Sequence, residues 1–410
     1  MYLDYAAATP LDEKVKAAMA PFWQKQFGNP SAQYQLGRTA RQAVDGARAR
    51  IAQTVRAQPK EIVFTAGGTE SVNLAIFGAV RNFLLGGAGE RRRKFSPHLI
   101  VSAVEHECVL NSARALEAEG CRVTYLPVDR LGRVSLADVQ QAVGPETVLI
   151  SIMYANNEIG TVQPVAEIGR WLKTYRHKSF RRGKEPLLFH TDACQAAGYL
   201  DLDVEELGVD LMSVNGGKLY GPKQTGFLYV RSGVSLKPLL YGGGQEFDLR
   251  GGTENVPGIV GLAESVVAAQ AGRAKESARL SSLAAKFYRQ VKEQVPGVLL
   301  NGPACQPIKG GDKIERLPNN LNFTFPAIDS EALMFYLDSY GIAASTASAC
   351  SSNSNGEPSH VLLAIGKTER QAKSSIRFTM GRQTRQDELN YVLKVLTSIV
   401  AMLSQVENIK

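Results

Sequence analysis

Between residues 38 and 230 the chain alternates short runs that are apolar throughout with longer segments whose apolar residues recur at helical spacing, and this alternation is what most restricts its fold. The runs at 61–64, 99–102, 122–126, 148–153, 187–189, 211–214 and 226–230 read as strands, and 38–55, 69–85, 109–119 and 165–176 as helices between most of them. A strand that is apolar on both faces has to be covered on both. The expectation is therefore an α/β fold, with a mostly parallel sheet sandwiched by helices.

The pattern changes after Gly258. Residues 259–295 read as one or two long helices rich in Ala, Glu, Lys and Arg. Strand-like runs at 321–325 and 375–378 then mix with helical ones at 330–340 and 387–403, a smaller α+β domain. With 410 residues, roughly two domains are expected on the usual size prior. The boundaries drawn are an N-terminal segment 1–14 joining the small domain, a large domain 15–258, and a small domain 259–410.

Hydrophobic content of 44% beside 21% charged residues is that of an ordinary water-soluble protein, and no apolar run is long enough to cross a bilayer. The start, Met1-Tyr-Leu-Asp-Tyr-Ala, has neither the basic region nor the apolar core of a secretion signal, so a cytoplasmic location is expected. Five cysteines, at 108, 121, 194, 305 and 350, form no Cys-x-x-Cys pair, which argues against a disulfide framework or a structural metal site. The net charge of +8 is local: Arg91, Arg92, Arg93 and Lys94 with Arg176, Lys178, Arg181, Arg182 and Lys184 make nine cations in two polar stretches. Such clusters suit exposed loops, and an acidic protein partner, better than a nucleic-acid stripe interleaved with aromatics.

Lys218 is the leading chemical candidate. It stands in Val214-Asn215-Gly216-Gly217-Lys218, where an apolar strand gives way to a glycine loop, so its amine can be held rigid and partly desolvated as a Schiff-base lysine. Asp192 ends another apolar run, and a carboxylate converging with a lysine is the pair pyridoxal phosphate requires, lysine for the aldehyde and acid for the ring nitrogen. The loop reading remains open, since lysines after Gly-Gly are commonly solvated and strand-end aspartates commonly cap helices. Lys223, five residues on, is an alternative amine.

Other motifs sit at strand ends. Thr65-Ala-Gly67-Gly68-Thr69 joins a strand to a helix, where close backbone approach, free N–H groups and the Thr69 hydroxyl suit a phosphate; lacking a lysine, it is not a P-loop. Asn156 and Asn157 follow the strongest apolar strand, either as turn formers or as ligand donors. His106 follows another, with structural and catalytic roles both open. Cys350 lies in a serine-rich stretch with no bulky neighbour, the setting of an accessible nucleophile or of an incidental cysteine. Arg377, in the run Ser375-Ile-Arg377-Phe, offers a guanidinium able to clamp a carboxylate.

In order, these segments resemble the cysteine desulfurases of the NifS/IscS type, class-V aminotransferase-like enzymes of pyridoxal-phosphate fold type I. The resemblance rests on Tyr2-Leu-Asp-Tyr-Ala-Ala-Ala-Thr-Pro10, Phe27-Gly-Asn-Pro-Ser31, Glu61-Ile-Val-Phe-Thr65, Asn156-Asn-Glu-Ile-Gly160, Lys218-Leu-Tyr-Gly-Pro-Lys223 and Ser375-Ile-Arg-Phe378, blocks that extend over nearly the whole chain. It implies a seven-stranded sheet in the large domain, pyridoxal 5'-phosphate as cofactor and L-cysteine as substrate. Lys218 would bond the cofactor aldehyde, Asp192 pair with the ring nitrogen, and Gln195 with the phenolic oxygen. His106 would stack on the ring and move protons. Gly68, Thr69 and Asn215 would hold the phosphate, joined by Thr253 from the second subunit of a homodimer. Asn157 and Arg377 would bind the substrate carboxylate, with Asn157 also facing the cofactor, and Cys350 would accept sulfur as a persulfide for an iron–sulfur scaffold or a tRNA-thiolation relay.

Three departures stand out. Members of that family carry Ser-Gly-His before the lysine, and here the sequence is Asn215-Gly216-Gly217; Tyr34 replaces a histidine; and residues 176–185 are longer and more basic. Asn215 and the Gly217 N–H are expected to compensate partly for the missing phosphate donor. Two other readings stay open: a lyase acting on selenocysteine or cysteine sulfinate, and a scaffold with weakened catalysis.

Overall fold

The computed structural model describes residues 1–85, 96–179, 187–309, 313–326, 328–346 and 357–407. Eleven strands lie among them: β1 (Ile62–Thr65), β2 (His98–Ser102), β3 (Arg122–Leu126), β4 (Thr147–Ser151), β5 (Leu188–Asp192), β6 (Leu211–Asn215), β7 (Gly226–Val230), β8 (Leu299–Asn301), β9 (Asn320–Thr324), β10 (Ser345–Thr346) and β11 (Ser375–Thr379). The first seven form one sheet in the order β1-β7-β6-β5-β4-β2-β3. All its pairings are parallel except those of β7, which runs antiparallel to both β1 and β6.

Strand periodicity sends successive side chains to opposite faces. Ile62, Phe64, Ile100, Ile150, Phe189, Met212 and Val214 join one core cluster, with the helices Gln35–Thr54 and Val165–Ser179 and the start of Val256–Gln294. Val63, Leu99, Val101, Leu149, Leu188 and Leu211 join the other, under the helices Gly68–Leu85 and Glu107–Ala118. Each fully buried Leu, Ile or Phe contributes about 1.5–3 kcal/mol, so covering both faces is what makes these runs strands. The edge strand β3 is the exception, with Arg122 and Tyr125 exposed, which blunts the open edge.

Four antiparallel strands, in the order β10-β11-β9-β8, form the second sheet. The helices Ser330–Ser339 and Gln386–Glu407 and the second half of Val256–Gln294 supply its core. The region expected to hold one or two helices is thus a single 39-residue helix, whose Val256, Ile259, Leu262 and Val266 enter the first core and whose Leu280, Ala284, Phe287 and Val291 enter the second. At the N-terminus, bridges Tyr2↔Ala343 and Asp4↔Thr379 lay the first residues beside the small sheet. No helix among the described residues is long and apolar enough to cross a membrane.

Candidate active site

The carboxyl ends of β2, β4, β5 and β6 and the start of the Gly68–Leu85 helix surround one cavity. Eight residues singled out from the sequence line it: Gly68, Thr69, His106, Asn157, Asp192, Gln195, Asn215 and Lys218. Thr253 is exposed and outside this cavity, Arg377 is not among the lining residues, and Cys350 lies outside the described residues.

Lys218 closes the short turn Gly216–Lys218 directly after β6. Its Nζ donates to the Ala6 carbonyl at 2.8 Å and the Ala7 carbonyl at 2.6 Å. Gln195 Nε2 donates to the same Ala6 carbonyl at 3.0 Å, which sets amide and amine side by side. Thr9 locks the turn: its backbone N–H and hydroxyl donate to the Gly217 carbonyl at 3.1 and 3.0 Å, and its hydroxyl accepts from the Tyr220 N–H at 2.7 Å. Tyr220 itself has φ +59, a conformation that an L residue keeps only under such constraint. Lys223 sends its Nζ toward the Thr9 carbonyl, 3.5 Å away, and does not line the cavity, so Lys218 is the amine at the site.

Asp192 is the last residue of β5, and its Oδ1 accepts from the Cys194 N–H at 2.9 Å. His106 caps the Glu107–Ala118 helix: Nδ1 accepts from the Cys108 N–H at 3.2 Å and lies 3.1 Å from the Cys108 Sγ. With Nδ1 an acceptor, a neutral His106 carries its proton on Nε2. Glu105, just before it, is fully buried; Oε1 accepts from Ser102 Oγ at 2.5 Å and the Met153 N–H at 2.8 Å, and burial pushes the carboxyl up to about 8.

Asn156 and Asn157 divide the roles left open by the sequence. Asn156 is the turn former, accepting from the Glu158 and Ile159 N–H groups at 2.9 Å each and donating to the Val104 carbonyl at 2.9 Å. Asn157 faces the cavity, and its carbonyl accepts from Arg377 Nη1 at 2.9 Å. Arg377 is 1% exposed, its Nη2 donates to Asp4 Oδ1 at 2.7 Å, and its Nε has no partner among the described residues. It therefore stands one residue behind the cavity wall, engaged with the N-terminal segment.

Gly68, Thr69 and Asn215, the residues expected to hold a phosphate, line the cavity together. A Cβ on Gly68 would approach Cys194 Sγ to 2.6 Å and Asn215 Nδ2 to 3.7 Å, so the close approach needs glycine. The Gly217 N–H, expected to serve a phosphate, instead donates to Asn215 Oδ1 at 3.0 Å. That bond orients the amide and leaves its Nδ2 on the side of Gly68; the compensation expected from the Gly217 N–H is not available, because a single N–H is already spent on the turn.

Ala6, Cys108, Met153, Ala155 and Cys194 also line the cavity and were not anticipated. Cys108 and Cys194 each stand two residues beyond a predicted one, a proximity that could have marked them, whereas Ala6 acts through its carbonyl and leaves no trace in residue type. Burial raises the thiols of all four described cysteines, Cys194 well above the usual range, with Asp192 adding to it, and Cys305 to about 11. None is poised as a thiolate.

Gly68, Thr69 and Asn215, the Asp192 carboxylate and the part-buried Lys218 amine meet on one cavity, the donor set that pyridoxal 5'-phosphate needs, and the glycine at Gly68 gives a phosphate room. Residues 1–392 match the family model Aminotransferase class-V. A cysteine desulfurase IscS of Dictyoglomus turgidum is 44% identical over 410 residues, covering 100% of this chain and 97% of that one. Among solved structures, a NifS-like protein superposes with a TM-score of 0.86 at 33% identity, covering 98% of this chain and 100% of that chain. A structure described as SspA in complex with cysteine gives a TM-score of 0.75 at 38% identity, covering 92% and 98%. The chain belongs to the class-V aminotransferase family of pyridoxal-phosphate enzymes and, within it, to the cysteine desulfurases of the NifS/IscS type.

Proposed function

We propose that the protein takes sulfur from L-cysteine, leaves L-alanine, and passes the sulfur from a persulfide on Cys350 to an acceptor protein serving iron–sulfur cluster assembly or tRNA thiolation. The observation that carries this reading is the convergence of Lys218, Asp192, His106 and the Gly68–Thr69–Asn215 cradle on one cavity. Asp192 would hold the ring nitrogen, Gln195 the phenolic oxygen, and the cradle the phosphate. When bound, the cofactor supplies an electron sink for the charge left on the substrate Cα.

The remaining chemistry belongs to the chain. Lys218, aimed by the Ala6 and Ala7 carbonyls, is the base for the Cα proton, and His106 Nε2 is the group that moves protons on the other side. Arg377 binds the substrate carboxylate by exchanging its bond to Asp4, with Asn157 beside it. The Cys350 thiolate attacks the substrate sulfur; the S–S bond forms as the Cβ–S bond breaks, and the electron pair left on carbon takes a proton to give alanine. Elimination supports Cys350, since the other four thiols are all suppressed by burial. So does the anchoring of the flanking chain. Ser345 pairs with Arg377 on one side, and on the other Ser359 bonds Glu158 while His360 Nε2 lies 2.9 Å from the Glu105 carbonyl.

In this reading a cofactor domain is joined to the one carrying the cysteine, which residues 1–14 also join; the division drawn at 258/259 falls inside the Val256–Gln294 helix, whose Ile259, Leu262 and Val266 still belong to the first core, and the location is cytoplasmic. A homodimer is part of it: Trp23, Phe27, Tyr241 and Phe247 are exposed aromatic side chains that a second copy would cover, and Thr253 is exposed as well. Incubating the purified protein with L-cysteine and a reductant, while following alanine, sulfide and visible absorbance, tests the activity. Lys218→Ala abolishes both products, and Cys350→Ala reduces sulfide at least ~100-fold. Wild-type protein showing neither product nor spectral change would refute the reading, and undiminished sulfide from Cys350→Ala would point instead to a lyase.

A further inference from the structure

Thr253 is flanked by two buried carboxylates, Glu246 and Glu254, and each is held by an arginine of the same helix, Gln35–Thr54. Arg48 bonds Glu246 in fork fashion, Nη1 to Oε2 at 2.8 Å and Nη2 to Oε1 at 2.6 Å, and Glu246 also accepts from the Phe64 N–H at 2.7 Å. Its guanidinium lies between the rings of Phe64 and Phe247, 4.6 and 5.0 Å from their centroids. Arg41 Nη2 bonds Glu254 Oε1 at 2.7 Å. Positions 41 and 48 are two helical turns apart and share a face, so two parallel side chains grip the segment on either side of Thr253.

The segment they grip is strained. Glu246, Phe247 and Asp248 have φ of +48, +59 and +63, three successive L residues in the left-handed region. Such a run persists only where its surroundings over-determine it. Further ties close the loop: Gln245 Oε1 accepts from the Gly243 and Gly252 N–H groups at 3.1 Å each, and Arg250 Nε bonds Glu70 Oε1 at 2.9 Å. No step of the chemistry uses Arg41, Arg48, Glu246 or Glu254, yet arginines bound to deeply buried carboxylates are uncommon without a reason of geometry.

We propose that Arg41 and Arg48 form a clamp that fixes the position of Thr253 and thereby sets cofactor affinity in the neighbouring subunit. They are positioning residues, acting only through Thr253, and the inference rests on the reading that Thr253 completes the partner's phosphate site. Losing the clamp lets the strained segment relax, so Thr253 is presented in many positions instead of one.

Titrating apoprotein with pyridoxal 5'-phosphate, with the dimer monitored by sedimentation, tests this in Arg48→Met, Arg41→Met, Glu246→Gln, Thr253→Ala and the double variant Arg48→Met/Thr253→Ala. The expected result is cofactor affinity about ten-fold weaker in Arg48→Met, as for losing one phosphate hydrogen bond, with KM for cysteine unchanged at saturating cofactor and partial rescue in Arg48→Lys. In the Thr253→Ala background, Arg48→Met should add nothing. Additive losses would overturn the clamp, because the arginine would then act by another route. Wild-type affinity in Arg48→Met beside a loss in Thr253→Ala would overturn it too. An unaffected Thr253→Ala would remove the underlying assignment and the clamp with it. Should Arg48→Met not fold, Arg41→Met and Glu246→Gln carry the same comparison.

Discussion

Gly217 has room for a side chain. A Cβ there would meet Asn215 Oδ1 at 3.4 Å and Lys223 at 3.7 Å, both ordinary contacts. Gly217→His should therefore fold and restore the donor that other members of the family place before the lysine. A hydrogen bond to a charged phosphate is worth about 1.5–3 kcal/mol, so cofactor affinity should tighten by one to two powers of ten. Titration of the apoprotein with cofactor measures it, and unchanged affinity would show that Asn215 already satisfies the cradle. Glu105 gives a second prediction. Its carboxyl is raised by burial from about 4.5 to about 8, so the native state holds its proton more tightly than the unfolded chain does. That contribution to stability is complete below the unfolded value and is lost as pH rises toward 8. Glu105→Gln keeps the acceptor for Ser102 and Met153 without a charge to bury, so its stability relative to the parent should climb by on the order of 1–3 kcal/mol between pH 5 and 8. Denaturant melts at the two pH values check this; a constant difference would contradict it.

At the scale of elements, close approaches decide what sequence can change. Gly169, inside the Val165–Ser179 helix, would carry a Cβ 2.1 Å from the Leu207 carbonyl and 3.0 Å from the Gly208 Cα. Gly169→Ala should cost about 1–3 kcal/mol despite its better helix propensity, visible as a lower urea midpoint, whereas Gly46→Ala, with open space around it, should not. Element type was legible because the apolar runs of β2, β4, β5 and β6 are buried on both faces, a pattern periodicity reads directly. Six residues of the cavity, Gly68, Thr69, His106, Asn157, Asp192 and Lys218, were legible for the related reason that they cluster at strand ends, whereas Gln195 and Asn215 were given only by the family resemblance. What was not legible depends on pairs remote in the chain. The Ala6 and Ala7 carbonyls that aim Lys218 are backbone atoms 212 and 211 residues away, and Asp4 reaches Arg377 across 373 positions. Nor could the Asn215 side chain be known to take the Gly217 N–H, a choice fixed by the turn's geometry.

At the scale of the whole molecule, two histidines stitch the large sheet. His98 on β2 reaches Thr147 on β4 at 2.9 Å and Thr124 on β3 at 2.8 Å, and His190 on β5 reaches Ser151 on β4 at 2.8 Å and Ser213 on β6 at 2.9 Å. Burial pushes both rings down to about 4, with Arg122 adding to the effect at His98 and Asp192 opposing it at His190. Their neutral forms thus contribute stability that is complete above about 6.5 and lost as pH falls toward 4. Equilibrium unfolding across that window should show the protein weakening with a slope approaching two protons taken up per molecule; replacing either ring by Gln should reduce the slope by about one. The long helix Val256–Gln294 acts at this same scale. At about 1.5 Å per residue it is a beam of roughly 58 Å built into both cores. A beam set in two walls does not hinge: swinging one core against the other would mean bending it and breaking its hydrogen bonds. Relative movement of the two cores is therefore held to what that helix can bend, gently and along its whole length.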